Sequence, residues 1–127
     1  MKIMLFGVLL VFGVAAHAQT AIPLDGTKLF SQYCASCHGS KATGDGPMAT
    51  ILKTRPANLT LIARRNHGTF PLDLVQTIIA GEKMSGLVHG SREMPIWGPI
   101  FSQDISDRDY GKLRVYNVAK YVESLQK

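Results

Sequence analysis

Apolar side chains recur at helical spacing in three stretches of the chain, and each stretch predicts a helix. In the first stretch, Leu29, Phe30 and Tyr33 lie on one face. In the second, Gly81 directly follows the last apolar position and supplies a stop. In the third, Ser106 stands where it can cap the first turn. The three predicted helices cover residues 25–37, 71–80 and 107–126.

The segments between these helices are rich in glycine, proline and serine, which predicts loops with short helical turns. Residues 39–47 and 86–99 are expected to be irregular for this reason. One or two helical turns are expected over residues 48–53, and Asn58 or Thr60 is expected to cap a further short helix. No convincing stretch alternates with the period of a strand, so the sequence predicts an all-α fold with long loops.

The first residues have the pattern of an export signal. Lys2 supplies a positive charge, residues 3–16 are uncharged and mostly apolar, and Ala16-His17-Ala18 matches a cleavage site. We expect a cleaved signal peptide over residues 1–18 and one mature domain over residues 19–127, located in the periplasm or otherwise exported. An uncleaved anchor is the alternative, but the apolar run is short for a membrane span and no second run follows. We therefore expect no lasting membrane anchor.

The charge of the chain is modestly basic. The formal net charge is +5, and cleavage would lower it to +4 by removing Lys2. Such a charge suits an acidic or neutral partner surface without requiring one. Nucleic acid is not expected as a partner, because export removes the chain from it and no run of lysine and arginine exceeds two residues.

Cys34, Cys37 and His38 form the motif Cys-x-x-Cys-His. This motif is the signature of covalent haem attachment, in which two thiols join one haem and the adjacent imidazole ligates the iron. Bacteria attach haem outside the cytoplasm, so the export signal supports the same interpretation. The alternatives are a plain disulfide, a thioredoxin-like redox pair and a zinc site. A zinc site would need four ligands, and His67 and His89 lack paired metal spacing.

Essentially the whole mature chain resembles the class I cytochrome c family. Gly26 and Phe30 stand eight and four positions before the first cysteine, and Val118 and Tyr121 match the family's positions in the C-terminal helix. In the family, these residues let the N-terminal and C-terminal helices cross closely. The resemblance implies a cytochrome c fold, with short helices and long loops around one covalent haem c and its iron.

The resemblance also implies a methionine as the second axial ligand. Met94, which is followed by proline, matches this position. A thioether ligand favours ferrous iron and raises the reduction potential. His89 is an alternative that would give bis-histidine ligation and a lower potential, and Met84 is another. Met48 and His67 are further candidates.

Three more cofactor contacts are expected. The family has a proline after the haem ligand whose carbonyl accepts a hydrogen bond from the ligand histidine, and Pro47 matches it. Trp97 is expected to pack on the haem edge or to donate its indole N–H to a propionate. Arg92 is the expected propionate partner. Each residue also has a plainer interpretation: a loop proline, a core aromatic and a solvated charge. The other arginines considered for this contact are Arg55, Arg64 and Arg65.

These features indicate an electron carrier and not an enzyme. The protein would pass one electron at a time between redox partners, such as a dehydrogenase, a respiratory complex or a terminal oxidase. A haem peroxidase or a haem sensor would need an open sixth ligand position instead. The sequence fits both a free carrier and a subunit of a complex. It does not indicate the oligomeric state. If these inferences hold, one cavity should be lined by Cys34, Cys37, His38 and Met94.

Overall fold

The computed structural model describes residues 22–82, 94–103 and 108–127. These residues form helices and loops without a strand, which confirms the predicted all-α class. The proposed signal peptide lies outside the described residues, and so does Ser106. The described helices are α1 (Gly26–Leu29), a π-helical turn (Phe30–Cys34), α2 (Ala35–His38), a 3₁₀ helix (Pro47–Thr50), a second 3₁₀ helix (Leu59–Leu61), α3 (Ile62–Arg65), α4 (Leu72–Ala80), α5 (Trp97–Phe101) and α6 (Arg108–Ser124).

The first predicted helix is confirmed as a continuous run of α1, the π-helical turn and α2. It begins at Asp25, whose carboxylate accepts a hydrogen bond from the Lys28 N–H at 2.8 Å. The wider π-helical turn ends at Cys34, directly before the segment that carries the second cysteine and the histidine. The run therefore delivers all three residues of the motif from one helical element.

The central helices begin and end where local signals predict. Asn58, and not Thr60, is the cap of the short helix, because its side chain accepts the Thr60 N–H at 3.0 Å. Pro71 stands one residue before α4, and Gly81 ends α4 with a φ of 75° in the left-handed region.

The prediction of an irregular loop over residues 86–99 was wrong at its C-terminal end, because α5 already begins at Trp97. Pro99 is tolerated there, since the first turn of a helix has no intrahelical partner for its N–H groups. Gly98 lets α5 approach α4 closely: a Cβ on it would lie 2.7 Å from the Ala80 carbonyl oxygen. Residues 83–93 lie outside the described part.

The C-terminal helix α6 organises the core by contacting α1, α4 and α5. Its contact with α1 depends on Gly26, where an added Cβ would collide with the Asn117 carbonyl oxygen. Beside this crossing, the rings of Phe30 and Tyr121 lie 5.3 Å apart. The close crossing expected at Gly26 is therefore confirmed. The buried residues of the main core are Leu29, Val75, Ile79, Phe101, Val115, Val118 and Ala119.

Arg114 is a charged residue inside this core, with 1% of its surface exposed. Its guanidinium donates hydrogen bonds to the carbonyls of Ile22 and Phe101, both at 2.6 Å, and of Pro23 at 3.2 Å. These bonds tie the N-terminal segment and the end of α5 to α6.

Among the described helices, none has the length and apolar character needed to cross a membrane.

Candidate functional site

A mostly apolar cavity of about 650 Å³ lies against the first helical run, α4 and the residues that lead into α5. Its lining includes Cys34, Cys37, His38 and Met94, so the four residues expected to bound one cavity do so. Its apolar and aromatic lining residues are Phe30, Tyr33, Leu52, Pro56, Ala57, Leu59, Ile62, Pro71, Leu74, Val75, Ile78, Ile79, Pro95, Trp97, Val118 and Val122.

The loop that follows α2 folds back under the histidine. The Gly44 N–H donates to the His38 carbonyl at 2.8 Å, and the Gly46 N–H donates to the Cys37 carbonyl at 3.1 Å. Gly44 has a φ of 82°, which a side chain would strain, and an added Cβ there would collide with the Pro56 carbonyl. The loop thus brings the chain around residue 56 against the end of α2.

The ring of His38 is oriented by the backbone of Ala57. Its Nδ1 lies 3.1 Å from the Ala57 carbonyl oxygen. A carbonyl can only accept, so Nδ1 carries the proton and Nε2 keeps a lone pair that can bind a metal. Burial lowers the pKa of His38, although the bond to Ala57 opposes this effect. The net lowering of the pKa favours a neutral imidazole at neutral pH, and the bond to Ala57 orients the ring.

The assignment of this acceptor to Pro47 was wrong. Pro47 is exposed, begins a 3₁₀ helix and lies outside the cavity lining. Pro47 and Pro56 are the first two prolines after His38, and the fold brings the second of them to the cavity with Ala57 beside it. Because the acceptor is a backbone oxygen, no side chain of Ala57 marked it in the sequence.

The two cysteines are not joined by a disulfide: Cys34 ends the π-helical turn and Cys37 lies in α2. Burial, with the nearby Cys37 as the smaller cause, raises the pKa of the Cys34 thiol to about 12. The thiol is therefore protonated at neutral pH in the chain alone. Among the described residues, no group of three or more His, Cys, Asp and Glu side chains gathers as a zinc site would require.

Met94 and Trp97 belong to a segment far from the Cys-x-x-Cys-His motif in sequence, and both line the cavity. Met94 is half-buried and packs against the main core. Trp97 lines the cavity and belongs to an aromatic cluster, with its ring centroid 5.4 Å from that of Tyr33 and 5.8 Å from that of Phe101. Trp97 thus combines core packing with a place on the cavity wall.

A family model described as cytochrome c oxidase, cbb3-type, subunit III matches residues 21–116. The chain belongs to this cytochrome c family. It is a class I c-type cytochrome domain, and such domains carry a covalently bound haem c with its iron. Searches of curated proteins and of solved structures gave no significant match.

The cavity of this cytochrome c domain fits a haem. The thiols and the imidazole of the motif stand together on its lining, and His38 presents a free Nε2 as a ligand. The remaining wall is mostly apolar, as a porphyrin plate requires. The domain therefore supports haem-based electron transfer.

Two arginines line the cavity of the cytochrome c domain, and the sequence had offered them only among other candidates. Arg55 donates from Nε to the Gly44 carbonyl at 3.4 Å, and Arg65 donates from Nη2 to the Asn58 carbonyl at 2.9 Å. Their partners hold both side chains at the cavity. Arg92, the expected propionate partner, lies outside the described residues.

The candidates for the second axial ligand are separated by position. Met84 and His89 lie outside the described residues. Met48 is 42% exposed, His67 is exposed in a turn, and neither lines the cavity. Met94 is thus the candidate that the described residues bring to the cavity.

Proposed function

We propose that this protein is an exported one-electron carrier whose haem c is ligated by His38 and Met94. The observation that carries this proposal is the shared cavity of Cys34, Cys37, His38 and Met94. The thiols of the two cysteines would attach the haem covalently. The His38 imidazole and the Met94 thioether would bind its iron.

Each residue of the site has a part in holding the cofactor in one geometry. The haem supplies the exchange of a single electron at its iron. Ala57 keeps the imidazole of His38 aimed and raises its basicity. Trp97 and the apolar residues of α4 would exclude water from the porphyrin ring. Arg55 and Arg65 are our proposed partners for the propionates, with Arg92 as the candidate from sequence alone.

The proposal of a carrier, and not an enzyme, rests on the two ligands that His38 and Met94 would supply. If His38 and Met94 both bind the iron, they would leave no position on it for a substrate. Electron exchange with a partner would need no such position. The protein's contribution is then to set the reduction potential and to dock its partners.

We propose that residues 1–18 are a cleaved signal peptide and that residues 19–127 act outside the cytoplasm, in the periplasm. The apolar run and the Ala-His-Ala site support the first point. The partners would be other redox proteins: a dehydrogenase, a respiratory complex or a terminal oxidase. The family description, which names an oxidase subunit, supports the last of these.

Optical spectra of the haem-loaded protein test the proposal. We expect a low-spin reduced spectrum, a weak far-red sulfur-to-iron band when oxidised, and no change when carbon monoxide is added to the reduced protein. Met94→Ala should remove the far-red band and allow carbon monoxide to bind, because it opens one ligand position.

Met48→Ala is the matched control, since Met48 is partly exposed and lies away from the cavity lining. It should leave every band unchanged. A wild-type protein that is high-spin and binds carbon monoxide readily would refute ligation by Met94 and would favour the enzyme or sensor instead.

A further inference from the structure

The C-terminal end of the chain is bound to the segment that begins α3. Gln126 accepts a hydrogen bond at Oε1 from the Ala63 N–H and donates from Nε2 to the carbonyls of Leu59 and Val122, each at 2.8 Å. The Lys127 N–H adds a bond to the Thr60 carbonyl at 3.0 Å. One half-buried amide therefore joins residues more than sixty positions away to the end of α6.

This attachment lies next to the group that orients the histidine. Leu59 is two residues after Ala57, whose carbonyl accepts the His38 Nδ1–H. The Leu59 N–H donates to the Ala42 carbonyl at 2.8 Å, while its own carbonyl accepts from Gln126. The short segment is thus held from both sides, by the loop after the histidine and by the chain terminus.

We propose that Gln126 is a positioning residue for His38, in a role that rests on the proposed haem ligation. By holding Leu59 and Ala63 against the end of α6, it keeps the Ala57 carbonyl within hydrogen-bonding distance of the imidazole. Its side chain does not line the cavity, so it acts through the backbone of residues 57–63.

The physical consequence is a change in the strength of the iron ligand. A hydrogen bond from Nδ1–H to a carbonyl makes the imidazole more basic, and a more basic ligand stabilises ferric iron relative to ferrous iron. Loosening the Ala57 carbonyl should therefore favour the ferrous form. Loss of a direct partner of this kind changes metal affinity by about tenfold to a hundredfold, and Gln126 acts one step further away. We expect the ferrous-to-ferric ratio to rise by up to about tenfold, which is about 59 mV for a one-electron couple.

The test is the midpoint potential of the haem-loaded Gln126→Met variant. Methionine keeps the length of the side chain and removes all three hydrogen bonds. Asn117→Leu is the matched control: the Asn117 amide donates to the Leu24 carbonyl at 2.7 Å and ties α6 to a segment that does not carry the Ala57 carbonyl. Gln126→Met should raise the potential, whereas Asn117→Leu should lower the melting temperature and leave the potential unchanged.

A second variant keeps the test decisive if Gln126→Met fails to take up haem. Gln126→Asn has a shorter amide that cannot reach Leu59 and Ala63 together, so a smaller rise in potential is expected. Two results would overturn the positioning role if the wild-type spectrum is low-spin. One is a midpoint potential that is equal in the wild type and in the Gln126 variant that loads haem. The other is an equal rise in potential with Asn117→Leu. A high-spin wild-type spectrum would instead overturn the proposed ligation and this role with it.

Discussion

Replacing Arg114 with methionine should destabilise the haem-loaded protein, although the change removes a charge from the core. The guanidinium is almost fully buried and donates to three backbone carbonyls, those of Ile22, Pro23 and Phe101. Methionine fills a similar length but donates nothing. The outcome depends on whether relief of the buried charge or loss of the carbonyl partners is larger.

The loss of partners should be larger because the carbonyls belong to the backbone and stay where they are. Loss of a hydrogen-bond donor to a buried polar group costs about 1–3 kcal/mol, and three carbonyls lose the Arg114 donor together. Water can reach Ile22 and Pro23, whose bonds are only partly buried, whereas the bond to Phe101 is buried. Relief of the guanidinium's desolvation offsets part of the loss. We expect a net decrease of about 3 kcal/mol in the free energy of unfolding.

Urea unfolding of the haem-loaded protein, followed by far-ultraviolet circular dichroism, measures this quantity. With a slope of about 1–3 kcal/mol per molar urea, the midpoint should fall by about 1–3 M. Arg64→Met is the control, because Arg64 is exposed and its loss should change stability by less than about 0.5 kcal/mol. If Arg114→Met and Arg64→Met unfold at the same urea concentration, the hydrogen bonds of Arg114 do not stabilise the fold as argued.

Two glycine substitutions test the close contacts between helices. Gly26→Val should lower the free energy of unfolding by about 2 kcal/mol, because its Cβ would collide with the Asn117 carbonyl oxygen, and an unchanged melting temperature would contradict that crossing. Gly98→Ala places a Cβ 2.7 Å from the Ala80 carbonyl oxygen and should push α5 away from α4. Since Met94 lies just before α5, the reduced variant should bind some carbon monoxide. If its spectrum does not change when carbon monoxide is added, Met94 is held in place independently of this contact.

The proposed haem-attachment motif and the main helices were predictable because their signals are local. Cys34, Cys37 and His38 are neighbours in sequence, so one helical run is enough to bring them together. The stop at Gly81 depends on the conformation of one residue. The proposal of Met94 as a ligand came from the family pattern, and the place of Met94 on the cavity lining supports it.

Other parts of the site depend on the tertiary structure. Every residue, proline included, carries the same backbone carbonyl acceptor, so its chemistry did not distinguish the Ala57 carbonyl from that of Pro47 as the partner of His38. The same reason hid the hydrogen bonds of Arg114 and Gln126, whose partners are backbone atoms far along the chain. The sequence by itself determined which side chains we propose to bind the haem. The packing of α6 against the other segments decided which backbone groups orient those side chains, because only a closed chain brings such distant residues within hydrogen-bonding distance.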